Sequence, residues 1–312
     1  MSDAAPMSFY GWERPLPEGP TLPMPTLIRR LAATACLSLA MVAGAASACG
    51  TAEGECPVEG GLYRMVLPEG AEGPVPALFF LHGWGSSSAA DMRNRTALRE
   101  ALAARGLALI LPEGRPRAGR TQKDWAVRDG GTHVRDDIAF FEAVMADAAR
   151  RGVDPEKVML GGFSRGGSMV WYVACLRPDL FRAYAPVAGA YWVPLPENCA
   201  PAPASGLAIH HTHGWTDRVV PLEGRLIGGG RLVQGDVFES LAMLRDRLGC
   251  TLRLADETRT EGDEWQRNWT SCSKGQIALR LHPGGHVVPA GWAEAALGWF
   301  DTVLATTSPP TR

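Results

Sequence analysis

The sequence predicts an α/β fold in which a mostly parallel sheet carries helices on both faces. Short apolar runs alternate with amphipathic stretches along most of the chain, the pattern of strands joined by crossover helices. With 46% hydrophobic and 21% charged residues in 312, the composition is that of a globular chain able to bury a sizeable core. Two apolar runs also break into glycine-rich turns, which is where such a sheet presents reactive side chains.

The expected strands are 63–67, 77–81, 107–111, 158–161, 183–187, 207–212 and 277–281. The expected helices are 89–105, 136–151, 165–176, 236–248 and 291–304. Asp136 or Asp137 caps the second of these helices and Asp236 the fourth, so capping rather than chemistry explains these acids. The proline-rich stretch 191–205 and the glycine-rich stretch 222–235 read as short loop insertions covering one end of the sheet.

At the other end of the chain, Arg29 and Arg30 precede an apolar run over 31–43, and Ala46-Ser47-Ala48 supplies the small-x-small pattern that a signal peptidase cuts. The run is short for a bilayer span and lacks a charged stop-transfer flank, so it reads as a leader and not as a membrane span. Residues 1–48 are thus expected to be an N-terminal extension and signal peptide, with translation able to start at Met24, and residues 49–312 to form one catalytic domain. The protein is expected to be secreted or periplasmic. Lipid anchoring through Cys49 is the less favoured reading, because Ala46 stands where lipoprotein signals usually carry a larger aliphatic residue.

Cys36 leaves with the leader, and the remaining six of the seven cysteines are expected to pair in an oxidising compartment. Proximity along the chain favours Cys49 with Cys56, Cys175 with Cys199 and Cys250 with Cys272, while Cys175 as a free buried thiol is the alternative. The formal net charge of −2 and the lack of a basic run exclude the electrostatic footprint of a nucleic-acid binder. No metal and no cofactor are expected, and the protein is expected to be a monomer.

The segment that carries chemistry is Gly162-Phe163-Ser164-Arg165-Gly166, which follows an apolar strand and opens a helix. A sharp turn of this kind forces Ser164 outward, and a Cβ at Gly162 or Gly166 would crowd the backbone. A serine hydroxyl needs an imidazole to accept its proton and a carboxylate to hold that imidazole's tautomer. Downstream, one strand candidate runs into His213-Gly214-Trp215-Thr216-Asp217 and another into Pro283-Gly284-Gly285-His286, in the chain order serine, acid, histidine. Ser164 is therefore the candidate nucleophile, His286 the base and Asp217 the orienting acid. The other histidines sit within strands or beside other loops, and Asp256 and Asp263 are the competing acids.

A tetrahedral intermediate also needs donors for its oxyanion. The Arg165 amide fills one position, and the turn Leu81-His82-Gly83-Trp84-Gly85 places the Trp84 amide in the second, with Gly83 as the fallback. His82 then reads as a structural brace.

On these residues the chain resembles the polyhydroxybutyrate depolymerase-like esterases, which in turn resemble feruloyl esterases. The matching segments are 81–85, 162–166, 185–189, 213–221 and 284–289. The resemblance implies an α/β-hydrolase fold and a triad of Ser164, Asp217 and His286, and thus a serine esterase, for which a small or oligomeric ester is the expected substrate. Arg165 departs from the pattern, since these enzymes often have a smaller or neutral residue there, and no polymer-binding domain follows the catalytic one. The alternatives are a noncatalytic binding protein on the same fold, which would usually have lost one of the three residues, and a peptidase, which commonly carries an extra domain. Trp84, Trp215 and Trp192 are the candidate substrate-binding residues, and bulky rings near Ser164 predict a preference for short acyl groups.

Overall fold

The structure is a computed structural model and describes residues 49–306 apart from 53, 128–131 and 252. The expected leader and start site lie outside the described residues. In chain order the strands are β1 (Cys56–Val58), β2 (Gly61–Val66), β3 (Val75–Leu81), β4 (Ala108–Pro112), β5 (Arg115–Pro116), β6 (Lys123–Asp124), β7 (Val153–Phe163), β8 (Ala183–Val187), β9 (Leu207–Gly214), β10 (Arg225–Ile227), β11 (Leu232–Gln234), β12 (Glu257–Glu261), β13 (Glu264–Trp269) and β14 (Gly275–His282). The helices are α1 (Ser88–Asn94), α2 (Thr96–Ala104), α3 (Asp137–Arg150), α4 (Arg165–Leu176), α5 (Val237–Leu248) and α6 (Trp292–Ala305).

Among the described residues, ten strands form one sheet in the order β1-β2-β4-β3-β7-β8-β9-β14-β13-β12. The central run from β4 to β14 is parallel, and an antiparallel pair extends each edge. This is the α/β-hydrolase architecture. The parallel strands are buried on both faces, as all-apolar runs such as the AYAPV of β8 require. One face is covered by α3, α4 and α5. The other is covered by α1, α2 and α6, with Trp292 packed edge-on against Phe80 at 5.6 Å.

Three expectations are corrected. The helix over 89–105 is two helices, because Arg95 leaves the helical region at φ −102° and ψ 50°. Its guanidinium pairs with Asp91 and lies 4.6 Å over the Phe80 ring. The edge strands β12 and β13 were not legible as strands: ETRTE is exposed throughout and lacks apolar alternation, and pairing with β13 through the turn at Gly262 makes it a strand. The glycine-rich insertion is not merely a loop, since it folds into the β10–β11 hairpin. The proline-rich insertion touches it through the Trp192–Gln234 bridge.

The capping acids behave as expected. Asp136 accepts from the Ile138 and Ala139 amides and Asp236 from the Phe238 and Glu239 amides, whereas Asp137 pairs with Arg135. The disulfides are Cys49–Cys56, Cys175–Cys199 and Cys250–Cys272, so Cys175 is not a free thiol. No helix among the described residues is long and apolar enough to cross a membrane.

Candidate active site

The chain passes from β3 outward to β4 and returns to β7 on the other side of β3. A crevice therefore opens beyond the carboxyl ends of β3 and β7, the place where open parallel sheets bind ligands. The turn after β7 carries Ser164. Its backbone is at φ 57° and ψ −119°, a left-handed conformation that costs a β-carbon-bearing residue about 1–3 kcal/mol. Hydrogen bonds hold it there: the Ser164 amide donates to Val187 O at 2.9 Å and the Ser168 amide to Ser164 O at 2.8 Å. A Cβ on Gly162 would lie 2.6 Å from Gly166 O, and one on Gly166 would lie 2.3 Å from Leu81 O. The motif's glycines are thus a packing requirement of the turn.

The three residues expected from chain order converge here. His286 Nε2 lies 2.8 Å from Ser164 Oγ, and His286 Nδ1 lies 2.7 Å from Asp217 Oδ2. Ser164 follows β7, Asp217 the end of β9, and His286 the end of β14. The Phe163 ring stacks against the His286 imidazole at 4.8 Å, a prop supplied by the residue before the serine.

Asp217 is buried, and its second oxygen accepts from the Val219 and Val220 amides at 2.8 and 2.9 Å. Burial alone would raise its pKa. The neighbouring His213, the bond to His286 and the Val220 amide outweigh that cost and hold the carboxyl well below the usual carboxylate range. His213 Nε2 is 3.5 Å from Asp217 Oδ2 and 2.7 Å from Val220 O. A carbonyl only accepts, so Nε2 carries the proton, and His213 Nδ1 accepts from His211 Nε2 at 3.0 Å. Burial lowers the pKa of His211 and keeps it neutral. His213, one of the histidines placed within a strand, is in contact with Asp217. Its spacing of four residues from Asp217 is the only sequence signal for that contact.

Asp256, a competing acid, instead caps the Thr270 and Ser271 amides, and Asp263 lies in the β12–β13 turn. His82 is buried between Gly83 O at 2.8 Å and the Gly114 amide at 2.9 Å, and its carbonyl accepts from Trp125 Nε1. It braces the turn that carries Trp84. That turn abuts Ser164, since a Cβ on Gly83 would stand 3.5 Å from Ser164 Cβ.

A cleft of about 490 Å³ opens over Ser164. Trp84, Trp192 and the Arg165 side chain line it, together with Val219, Val220, Ile227 and Leu232. Trp215 is half exposed and lies outside this lining. The Arg165 guanidinium is turned into a buried ion pair, with Nε 2.5 Å from Asp124 Oδ1 and Nη2 donating to Trp125 O at 3.2 Å. Asp124, 41 residues upstream on β6, had no signal in the sequence.

Residues 128–226 match the Phospholipase/Carboxylesterase family. NocK of Nocardia uniformis subsp. tsuyamanensis, which carries an esterase designation, is 34% identical over 270 residues, or 77% of this chain and 73% of NocK. The chain belongs to the carboxylesterase- and feruloyl-esterase-like family of α/β-hydrolases. Feruloyl esterase C of Emericella nidulans is 30% identical over 177 residues, covering 54% of this chain and 58% of that protein. In fold, this carboxylesterase-like chain is similar to the acetyl xylan esterase from Aspergillus awamori, with a TM-score of 0.55 over 77% of this chain and 93% of that one, at 14% identity.

Proposed function

We propose that this protein is an exported serine esterase in which Ser164 attacks the ester carbonyl, His286 accepts the Ser164 proton and Asp217 holds the imidazole. The observation that carries the reading is the pair of contacts from His286, 2.8 Å to Ser164 Oγ and 2.7 Å to Asp217 Oδ2. The carbonyl of Val220 and the amides of Val219 and Val220 fix the acid's surroundings, so the carboxylate faces Nδ1 with its charge intact. With Nδ1–H directed at Asp217, Nε2 is left unprotonated to take the serine proton as the Oγ–C bond forms. The oxyanion is received by the Arg165 amide, at the start of α4 where the helix dipole favours negative charge, and by the Trp84 amide. His286 then returns the proton to the leaving alkoxide, and water repeats the sequence to release the acid.

Residues 49–312 act as one catalytic domain and as a monomer, after loss of 1–48 as a leader. The substrate is a compact ester, and the motif resemblance favours an oligomeric hydroxyalkanoate of the polyhydroxybutyrate type. Trp84 and Trp192 line the cleft while Trp215 lies outside its lining, and the two short insertions carry too little chain for a large lipase lid. Ser164→Ala should abolish turnover of 4-nitrophenyl acetate and labelling by a fluorophosphonate probe while leaving the unfolding transition unchanged. Retention of turnover near the wild-type rate removes Ser164 as nucleophile.

A further inference from the structure

The charged part of the cleft lining is cationic. Arg117, Arg120, Arg165 and Arg225 reach it, and Asp124 is the one carboxylate among its described lining residues. That carboxylate is already saturated. Its Oδ1 is 2.5 Å from Arg165 Nε, its Oδ2 is 2.6 Å from Arg117 Nε, and Oδ1 also accepts from the Trp125 amide at 2.8 Å. Two guanidinium groups share one negative charge, so this buried cluster carries an excess positive charge within the cleft that holds Ser164.

Arg225 adds a second. It is held on the β10–β11 hairpin by neutral acceptors, with Nε donating to Gln234 Oε1 at 3.0 Å and Nη1 to Arg218 O at 3.1 Å. These bonds orient the fork without cancelling its charge. Arg120 also lines the cleft, in the turn closed by its own amide on Arg117 O. Guanidinium donors arrayed in a plane recognise carboxylates, and a cleft of one sign with apolar walls focuses its field on an arriving anion.

We propose that the preferred substrates are esters bearing a free carboxylate, which Arg225 and Arg120 receive while the ester group lies at Ser164. This rests on the serine-esterase reading and narrows its substrate class. The acid-terminated end of an oligomeric hydroxy-acid ester has this chemistry. An ester of the same length that is neutral throughout does not.

The test compares two pairs of esters matched in size. On the acyl side, 4-nitrophenyl hydrogen adipate is set against 4-nitrophenyl hexanoate. On the alcohol side, 3-acetoxypropanoate is set against 3-acetoxypropanamide. In at least one pair the anionic ester should show kcat/KM roughly tenfold or more above its neutral partner at low salt. That ratio should shrink as ionic strength rises from about 0.01 to 0.15 M, because the screening length falls from about 30 to 8 Å. It should also fall toward one in Arg225→Gln combined with Arg120→Gln, both at exposed positions where folding is not at stake.

Ratios at or below one in both pairs overturn the proposal, as does a high ratio that survives the double substitution. Binding of the same esters to Ser164→Ala, read by calorimetry, gives the preference without turnover. A carboxylate preference there together with an inactive wild type would sink the serine-esterase reading and leave the recognition site standing. Turnover that depends on Ser164 but shows no carboxylate preference would do the reverse.

Discussion

Replacing Arg165 with leucine tests whether the cation next to Ser164 serves packing or chemistry. Arg165 is 9% exposed and Asp124 3%, so the substitution removes one member of a buried pair. Removing one partner from such a pair costs about 3–5 kcal/mol, because the remaining charge stays desolvated. Here Asp124 keeps Arg117 Nε at 2.6 Å and the Trp125 amide at 2.8 Å, which places the loss near the lower end, about 3 kcal/mol. The guanidinium also sits 5.1 Å over the Trp192 ring, a contact worth about 0.5–1 kcal/mol. The expected total is about 3–4 kcal/mol, a fall in Tm of roughly 6–16 °C for a chain of this size.

Urea unfolding followed by tryptophan fluorescence reads the loss directly. Burial raises the pKa of Asp124, but Arg165, the Trp125 amide and Arg117 together bring it below its ordinary value. A depressed folded pKa gives stability that is present above the unfolded pKa and is lost as pH falls through the folded value. The gap between wild type and Arg165→Leu should therefore be full at neutral pH and narrow below about pH 4. A variant within about 0.5 kcal/mol of wild type at pH 7 would refute the ion-pair argument. So would a gap that widens in acid.

Asp217→Asn should lower kcat by roughly 10⁴ by favouring the wrong His286 tautomer, with kinetics on a short-chain 4-nitrophenyl ester as the readout, while Asp256→Asn, at a capping position, should leave kcat near wild type. Larger damage from Asp256→Asn would reassign the acid. Gly166→Ala should prevent the turn from closing, since its Cβ would lie 2.3 Å from Leu81 O and 2.7 Å from His82 O, and circular dichroism should show a loss of stability of more than about 3 kcal/mol or no folded protein. A folded, fully active variant would contradict the packing of the turn. Across 4-nitrophenyl esters, kcat/KM should peak at short acyl chains, and Trp84→Ala should move the optimum toward longer ones. A wild-type preference for long chains would remove the aromatic walls as the limit on substrate size.

The parallel core strands could be read from the sequence because each carries a short apolar stretch, and in strands such as β3 and β8 burial on both faces is written in consecutive residues. The positions of Ser164, Asp217 and His286 were legible for a related reason: each follows such a run, so the pleat and chain order send all three to one edge of the sheet. The glycines of the turn after β7 are equally local, since they answer to backbone atoms packed against that turn. The bridges also followed short loops, of 7, 24 and 22 residues.

What only the tertiary structure decided depends on contacts between segments with no shared local pattern. The strand β12 is charged and exposed along its length, and only hydrogen bonding to β13 makes it a strand. The β10–β11 hairpin became a cleft wall through its bridge to Trp192. Arg165 looked like a free cation beside the serine because its partner, Asp124, lies 41 residues away on a two-residue strand. Charge on an isolated residue is a property of sequence, but whether that charge is cancelled, shared or left facing a substrate is set by which distant groups the fold brings within about 4 Å of it.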